Sequence, residues 1–466
     1  MSDQVHSDEL PPAYFLSLSL ENVRCFGPEQ TLDLTNEEGN PAQWTVLLGD
    51  NGTGKTTLLQ AIAALEIDVE WNSELEDRHR DPFPKGEPFW KKAPAILELR
   101  RSLKDWVSFL RSASSETTLK VGFSVGASLS EGGGAKLEST LELCLKGGRR
   151  ISVRGYPEHG NIFKTHCVGY GASRAMDEAG IMSDQEDGMA TEGLFLDSHS
   201  LPNVTEWLLQ ADYAAKSEKP KAALLRDQIR DVLAHPDSGI LPDVDDLRFA
   251  HQEGDASPPR VEFHTPYGWV TIDQLSLGYR TMIAWVVDLA RRLFKRYPES
   301  DNPLAEPAVC LVDEIDLHLH PKWQRKIIDF LSDRFPNTQF IVTAHSPLVV
   351  QAAQDANIAL LKRVAVDDGD DYVEIHNDME PVGNLRVDQI LTSDLYGLES
   401  ARPPDVDDLL EERRELLSKS ELTDEDEARL DEIEKRVGDV PAGETKEQRE
   451  AMAFIKDVAD RLDEDE

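Results

Sequence analysis

Residues 44–57 read W-T-V-L-L-G-D-N-G-T-G-K-T-T, and this stretch decides the fold. The run from Trp44 to Leu48 is short, continuous and apolar, as a parallel strand buried on both faces is. It ends in Gly49-Asp50-Asn51-Gly52-Thr53-Gly54-Lys55-Thr56, which fits G-x-x-x-x-G-K-[ST] without deviation. The residues after Lys55, T-T-L-L-Q-A-I-A-A-L, have the leucine and alanine content of a buried helix. Strand, glycine loop and helix is the context a phosphate-binding loop requires. Glycines let main-chain N–H groups turn inward, the helix N-terminus adds its dipole, Lys55 reaches β/γ oxygens, and the Thr56 hydroxyl ligates Mg2+. At average residue frequencies a chance match in such a chain is on the order of one in a thousand. Gly49, Asn51, Gly52, Thr53, Gly54, Lys55, Thr56 and Thr57 are therefore the expected nucleotide contacts.

Working outward, Tyr14 to Val23 alternates apolar and polar residues and predicts a strand, with a second at Gln30 to Leu34. Between residues 66 and 165 the order is lost. A charged, Trp-bearing stretch, a helix expected over 97–112, and alternating segments at Leu119–Phe123 and Leu137–Leu145 read as an inserted arm or lobe. A strand-like H-C-V-G-Y-G then precedes Ala172-Ser173-Arg174, and an acidic loop covers Met176–Met189. Helices are predicted over Val204–Ala215, Lys219–Ala234, Arg280–Phe294 and Pro321–Phe335, with β structure over Arg260–Thr271 and strands at A-V-C-L-V and Q-F-I-V-T-A-H. This alternation predicts an α/β fold with a largely parallel sheet. Residues 401–466 shift to spaced leucines among interleaved charges, an acidic helical tail in which Thr423 is an N-cap candidate.

Composition narrows the function classes. The 466 residues carry 88 Asp and Glu against 49 Lys and Arg, a formal charge of −39, which excludes a protein that coats phosphate backbones through bulk electrostatics. Any DNA contact has to be local. The four cysteines form no C-x-x-C pair and no Cys/His cluster at metal-ligand spacing, which favours a reducing cytoplasm. Residues 1–12 lack the basic and apolar regions of a signal peptide, and the longest apolar runs are too short to span a bilayer, so no membrane association is expected.

Further along, the apolar strand Ala308–Val312 delivers Asp313-Glu314. Asp313 suits a magnesium ion held through water, and Glu314 suits polarisation of the attacking water. His345 stands at a comparable strand end, within expected reach of a γ-phosphate. Leu275-Ser276-Leu277-Gly278-Tyr279-Arg280 precedes a long helix and makes a second anion site, which is useful if it serves the nucleotide of another subunit.

In order, the chain thus holds a Walker A loop at Gly49–Thr56, a signature-like Leu275–Arg280, a Walker B strand at Val309–Glu314, a D-loop-like Ile315–Pro321, and Thr343-Ala344-His345-Ser346-Pro347. This order resembles that of ABC-type ATPases, more narrowly the SMC/RecF/OLD branch. The start, L-E-N-V-R-C-F-G-P-E-Q-T-L-D-L, is similar to that branch's opening hairpin near the adenine, which assigns Asn22 and Arg24 to the base. The combination of Y-G-A-S-R, L-S-L-G-Y-R and D-E-I-D-L-H-L-H-P-K-W-Q resembles the stand-alone ATPases of bacterial anti-phage systems, of the Septu and retron-associated type. The resemblance covers residues 14–361, apart from the insertion.

It implies an ABC-type P-loop ATPase domain formed by residues 1–65 and 166–400, with the arm or lobe at 66–165 and the tail at 401–466. It further implies ATP and Mg2+ as cofactors, with Thr56 and Asp313 holding the metal and Glu314 and His345 catalytic. Two copies would form a head-to-tail nucleotide sandwich, Ser276 and Gly278 of one closing on the ATP of the other. The partner it implies is a separately encoded nuclease effector in anti-phage defence. Leu277 and Tyr279-Arg280 replace the Gly and Gln of transport ATPases, which argues against a transporter. There is no sustained heptad arm, no evident Q-loop, for which Arg174 is the candidate sensor, and no Toprim or HNH constellation. His318 and His320, with Asp316, read as D-loop dimer contacts in preference to a metal site. A RecF- or SMC-like DNA clamp is the rival, needing a basic face such as Arg101, Lys104, Arg149, Arg150 and Arg154; a scaffold with a slow, structural ATP site is the third reading.

Overall fold

A computed structural model describes residues 13–65, 67–70, 96–99, 116–125, 137–146, 150–154, 165–176, 190–217, 220–234, 239–241, 243–250, 259–367, 369–379, 382–419 and 423–437. In chain order the first elements are β1 (Ala13–Glu21), β2 (Gln30–Asp33), β3 (Trp44–Gly49), α1 (Lys55–Ala64), β4 (Ile67–Glu70), β5 (Ile96–Leu99), β6 (Glu116–Val125), β7 (Leu137–Lys146), β8 (Arg150–Arg154) and β9 (Cys167–Tyr170). After β10 (Ala175–Met176) and β11 (Ser200–Leu201) come α2 (Val204–Lys216), α3 (Pro220–Ala234), β12 (Asp246–Ala250), β13 (Arg260–Thr265), β14 (Gly268–Thr271), α4 (Leu277–Arg296) and β15 (Ala308–Val312). The rest are α5 (Pro321–Gln324), α6 (Ile327–Arg334), β16 (Thr338–Thr343), α7 (Pro347–Ala352), β17 (Asn357–Val364), β18 (Tyr372–His376), α8 (Val387–Leu391), α9 (Pro404–Leu417) and α10 (Asp424–Val437).

The central sheet has the order β18-β17-β3-β16-β15-β9, parallel except for the antiparallel edge strand β18. Its inner strands β3, β15 and β16 are buried almost throughout, as continuous apolar runs in a parallel sheet require. A second, antiparallel sheet runs β2-β1-β6-β7-β8, so β6, β7 and β8 extend the sheet begun by the N-terminal hairpin. One apolar core joins the two sheets through α1: Leu58, Leu59 and Ile62 cluster with Phe15, Leu18 and Phe123 of one sheet and Leu47, Leu311 and Ile341 of the other.

The Gln339 side chain stitches β1 to the central sheet. Gln339 of β16 has no solvent exposure; its amide nitrogen donates to the Phe15 carbonyl at 2.8 Å and its amide oxygen accepts the Phe15 N–H at 2.9 Å. The β1–β2 ladder starts at Ser17, which leaves the Phe15 groups to the amide; the β1–β6 register shifts just beyond, between Phe15 and Ser17.

Several expected boundaries move. The strand Ile96–Leu99, paired with Ile67–Glu70, replaces the start of the helix expected over 97–112, because I-L-E-L suits an alternating strand; residues 100–112 lie outside the described set, as do residues 177–189 of the acidic loop. The helix expected from Arg280 begins at Leu277, since the Ser276 hydroxyl accepts the Tyr279 N–H and caps it. The helix expected over Pro321–Phe335 divides into α5 and α6, and the strand Q-F-I-V-T-A-H stops at Thr343, before His345. Arg260–Thr271 is the hairpin β13–β14.

The chain divides into two units, Met1–Val387 and Asp388–Glu466. In the second, α9 and α10 pack through Leu409, Leu416 and Ile433, and Thr423 and Asp426 cap α10 reciprocally. Replacing Gln339 by Leu keeps the bulk but strands two buried main-chain groups, at about 1–3 kcal/mol each. The expected result is a fall in unfolding free energy of about 2–6 kcal/mol, read from the urea midpoint. An unchanged midpoint would mean that the Phe15 groups find other partners.

Candidate active site

The site grows from the carboxyl ends of β3, β15 and β16, which lie side by side in the sheet. The turn after β3 carries Gly49, Gly52 and Gly54 at positive φ of 141°, 83° and 90°. Gly54 is the N-cap of α1, and a side chain there would place Cβ 2.4 Å from the Cys25 Sγ, so the loop is closed against the β1–β2 connection by a residue with no Cβ. Thr53 is buried and braces the loop by donating its hydroxyl to the Asp50 carbonyl at 2.8 Å; Asn51 and Gly52 face solvent at its tip.

Lys55 folds over this loop, its ammonium donating to the carbonyls of Gly49 at 2.7 Å and Asp50 at 2.9 Å. Burial lowers its pKa from the ordinary lysine value, and the charges of Asp313, Asp50, Glu314 and Asp316 oppose that fall. The next residue makes the central contact: the Thr56 hydroxyl donates to Asp313 Oδ2 at 2.7 Å. The other carboxylate oxygen, Oδ1, accepts the Thr343 hydroxyl at 2.7 Å, and Thr343 Oγ1 in turn accepts the Glu314 N–H at 2.7 Å. Asp313 is buried and Glu314, one step on, adopts a left-handed φ of 50°. The acid pair is thus held differently, the Asp313 carboxylate tied to the phosphate loop and Glu314 set by its left-handed backbone.

His345 lies two residues beyond β16, exposed, with its main-chain N–H donated to Asp316 Oδ2 at 3.0 Å. Asp316, expected as a dimer contact, therefore also works within the chain, tying the turn after the acid pair to the turn that carries the histidine. His320, another such expectation, caps α5 by accepting the Lys322 N–H at Nδ1. Among the described residues no group of three or more His, Cys, Asp or Glu is arranged to hold a metal by itself.

Arg24 does not stand apart from the loop. Its guanidinium donates to Thr57 Oγ1 at 3.2 Å and Gln60 Oε1 at 2.6 Å, which fixes the opening hairpin on α1. Asn22 and Arg24 both take left-handed φ, 56° and 45°, and the Asn22 N–H donates to the Gly27 carbonyl. Ser276 sits exposed at the N-terminus of α4. Gly278 meets the turn after the acid pair: a Cβ there would lie 2.3 Å from the His318 carbonyl oxygen. The glycine thus has an intrachain cause.

One expectation changes and another goes untested. Arg174, the candidate sensor in the place of a Q-loop, is buried, and its guanidinium donates to the main-chain carbonyls of Gly171, Asp313 and Glu314 and is not turned to a ligand. Of the basic residues offered for a DNA face, Arg101, Lys104 and Arg149 lie outside the described residues. Sequence reasoning missed Thr343, whose hydroxyl bridges the two acids. The T-A-H-S-P motif contains it, but its role follows only from the strand order.

The family described as "AAA domain, putative AbiEii toxin, Type IV TA system" matches residues 203–351, and one described as "AAA domain" matches residues 17–65. The "Retron Ec83 probable ATPase" of Escherichia coli is 50% identical over 93 residues, 20% of this chain and 17% of that protein. The "Retron Vc95 probable ATPase" of Vibrio cholerae is 46% identical over 95 residues, 20% of this chain and 18% of that protein. "Septu protein PtuA" of Bacillus mycoides is 25% identical over 390 residues, 83% of this chain and 45% of that protein. The chain spans less than half the length of each of these three relatives. Among solved structures, the SmcHead bound to the C-winged helix domain of ScpA covers 78% of this chain and 98% of its own at 16% identity and a TM-score of 0.43. Motif order, the geometry of the strand ends and the sequence matches support a P-loop ATPase that is similar to the Septu and retron ATPases.

Proposed function

We propose that the chain binds and hydrolyses ATP at a composite site between two copies, and that its nucleotide state gates a separately encoded nuclease in bacterial anti-phage defence. The observation that carries the reading is the contact of the Thr56 hydroxyl with Asp313 Oδ2, which joins the phosphate loop to the Walker B strand. A hydroxyl and a carboxylate 2.7 Å apart are hard oxygen donors of the kind magnesium prefers, so the residues fit the ion. Thr56 and Asp313 would hold it, and when bound it neutralises charge on the β- and γ-phosphates.

Lys55 and the N–H groups of Gly52, Thr53 and Gly54 bind and orient the phosphates, with the dipole of α1 behind them. Glu314 takes a proton from the attacking water as its oxygen bonds to the γ-phosphorus and the bridging P–O bond to ADP breaks. His345, held by Asp316, approaches the same phosphate from β16. Ser276 and Gly278 serve the nucleotide of the second copy; Leu277 between them is 52% exposed, apolar surface suited to being covered by that copy. The defence role rests on likeness to the Septu and retron ATPases. No helix among the described residues is long and apolar enough to cross a membrane.

Lys55→Ala is expected to abolish ATP binding, and Glu314→Gln to keep binding while turnover falls by about 10²–10⁴-fold, the range for loss of a general base. Equilibrium binding of a fluorescent nucleotide and phosphate release measure the two. Wild-type turnover in the Gln variant removes Glu314 from the reaction.

Ser276→Arg is expected to cost roughly 1 kcal/mol through the lost cap of α4, leaving ATP binding intact but blocking turnover. Mixed in equal amounts with Lys55→Ala protein, it should recover about a quarter of wild-type activity, since half the dimers are mixed and each has one intact composite site. No recovery despite demonstrated subunit exchange rules out the composite site. Salt-dependent DNA binding that strengthens with ATP would instead favour the clamp.

A further inference from the structure

We propose that Arg174 and Thr343 form a two-sided clamp that sets the direction of the Glu314 carboxylate, so that Arg174 is a positioning residue for hydrolysis although it faces away from the phosphates. The inference rests on the ATPase reading above and adds to it a residue that has no place in the phosphate loop, the acid pair or the signature.

Glu314 has two neighbouring peptide groups, and their orientations fix its φ and ψ. In the first, between residues 313 and 314, the carbonyl accepts from Arg174 Nη1 and the N–H donates to Thr343 Oγ1 at 2.7 Å. In the second, between residues 314 and 315, the carbonyl accepts from Arg174 Nη2 at 2.8 Å and the N–H donates to the Thr343 carbonyl at 2.9 Å. All four polar groups that flank Glu314 are therefore held, the two carbonyls by one guanidinium and the two N–H groups by one threonine. A left-handed φ of 50° in a non-glycine residue is costly and persists only where the surroundings dictate it.

Arginine suits this task for a geometric reason. Its planar fork holds its N–H donors at a fixed angle and so sets the relative orientation of two successive carbonyls, whereas the rotating ammonium of lysine imposes no such geometry. The residue is 6% exposed, and burial lowers its pKa to about 10 against the pull of Asp313, Glu314 and Asp316. A third carbonyl, that of Gly171 at 3.0 Å, anchors the same Nη1 to the turn after β9, so the clamp is itself fixed to the neighbouring strand. Burying a guanidinium to bind main-chain oxygens is costly. Holding a catalytic turn is a function that justifies it.

The test is Arg174→Lys in the full chain, with Thr343→Val as the approach from the other side should the first variant fold poorly. Expected is a fall in kcat of about 10²-fold, the effect of an ångström-scale misplacement, with ATP affinity within twofold of wild type. In a Glu314→Gln background the same change should lower the residual rate no further, because the carboxylate it aims is already gone. Amide hydrogen exchange of the peptide spanning residues 313–315 should quicken in Arg174→Lys. Equal kcat, or additive losses in the double variant, or unchanged exchange, each overturns the clamp; affinity, kcat and melting temperature falling in parallel reduce Arg174 to a purely structural residue. Absence of turnover in the wild-type chain instead strikes the ATPase reading, and exchange at residues 313–315 then still decides the clamp.

Discussion

Everything in the site depends on the carboxylate of Asp313. Buried at the end of β15, it takes one hydroxyl from Thr56 across the phosphate loop and one from Thr343 at the end of β16. A buried carboxylate is tolerated only when its lone pairs are met, and hydrogen bonds to a charge are about twice as strong as neutral ones. Those two bonds fasten three strand ends together. They can do so because the sheet order places β16 between β3 and β15, an order that separates neighbours in space from neighbours in sequence.

That separation explains what was legible and what was not. The phosphate loop was legible because its chemistry is local: eight consecutive residues specify strand end, turn and helix start. The acid pair, the signature and the histidine were legible as strand or helix ends with suitable side chains. Thr343 was not, since nothing in T-A-H says that its hydroxyl meets an acid 30 residues earlier. Gln339 was still less so, because its partner is the backbone of a residue 324 positions away. Arg174 was picked out by position, but its role was misread: a guanidinium next to a nucleotide motif suggests a ligand contact, whereas burial and three carbonyl acceptors turn it inward. The extent of α4 was missed because the cap at Ser276 belongs to the motif itself.

Gly278 illustrates a second limit of local reading. A glycine near a helix N-terminus invites an explanation through an anion, yet here the missing side chain is also needed for the approach of the His318 carbonyl. The two causes are compatible. Because the signature and the turn after the acid pair touch inside one chain, a displacement at one is felt at the other without any long pathway. The same turn carries Asp316, which holds the histidine loop. Packing of this kind transmits strain because close-packed interiors have little room to absorb it.

The remaining tension is electrostatic. A chain of formal charge −39 would seem a poor host for a polyphosphate, and Asp50, Asp313, Glu314 and Asp316 all act on Lys55. Distance resolves it. At physiological ionic strength the distant acidic surface is screened over about 8 Å, so the field at the loop is set by its nearest groups. Those are the ammonium of Lys55 and the N-terminal dipole of α1, which carries no counter-charge of its own. The nearby acids then act in the opposite sense to the bulk surface. They sustain the charge on Lys55 against burial, and one of them, Asp313, lies where a divalent cation would turn a repulsive oxygen into a shared ligand.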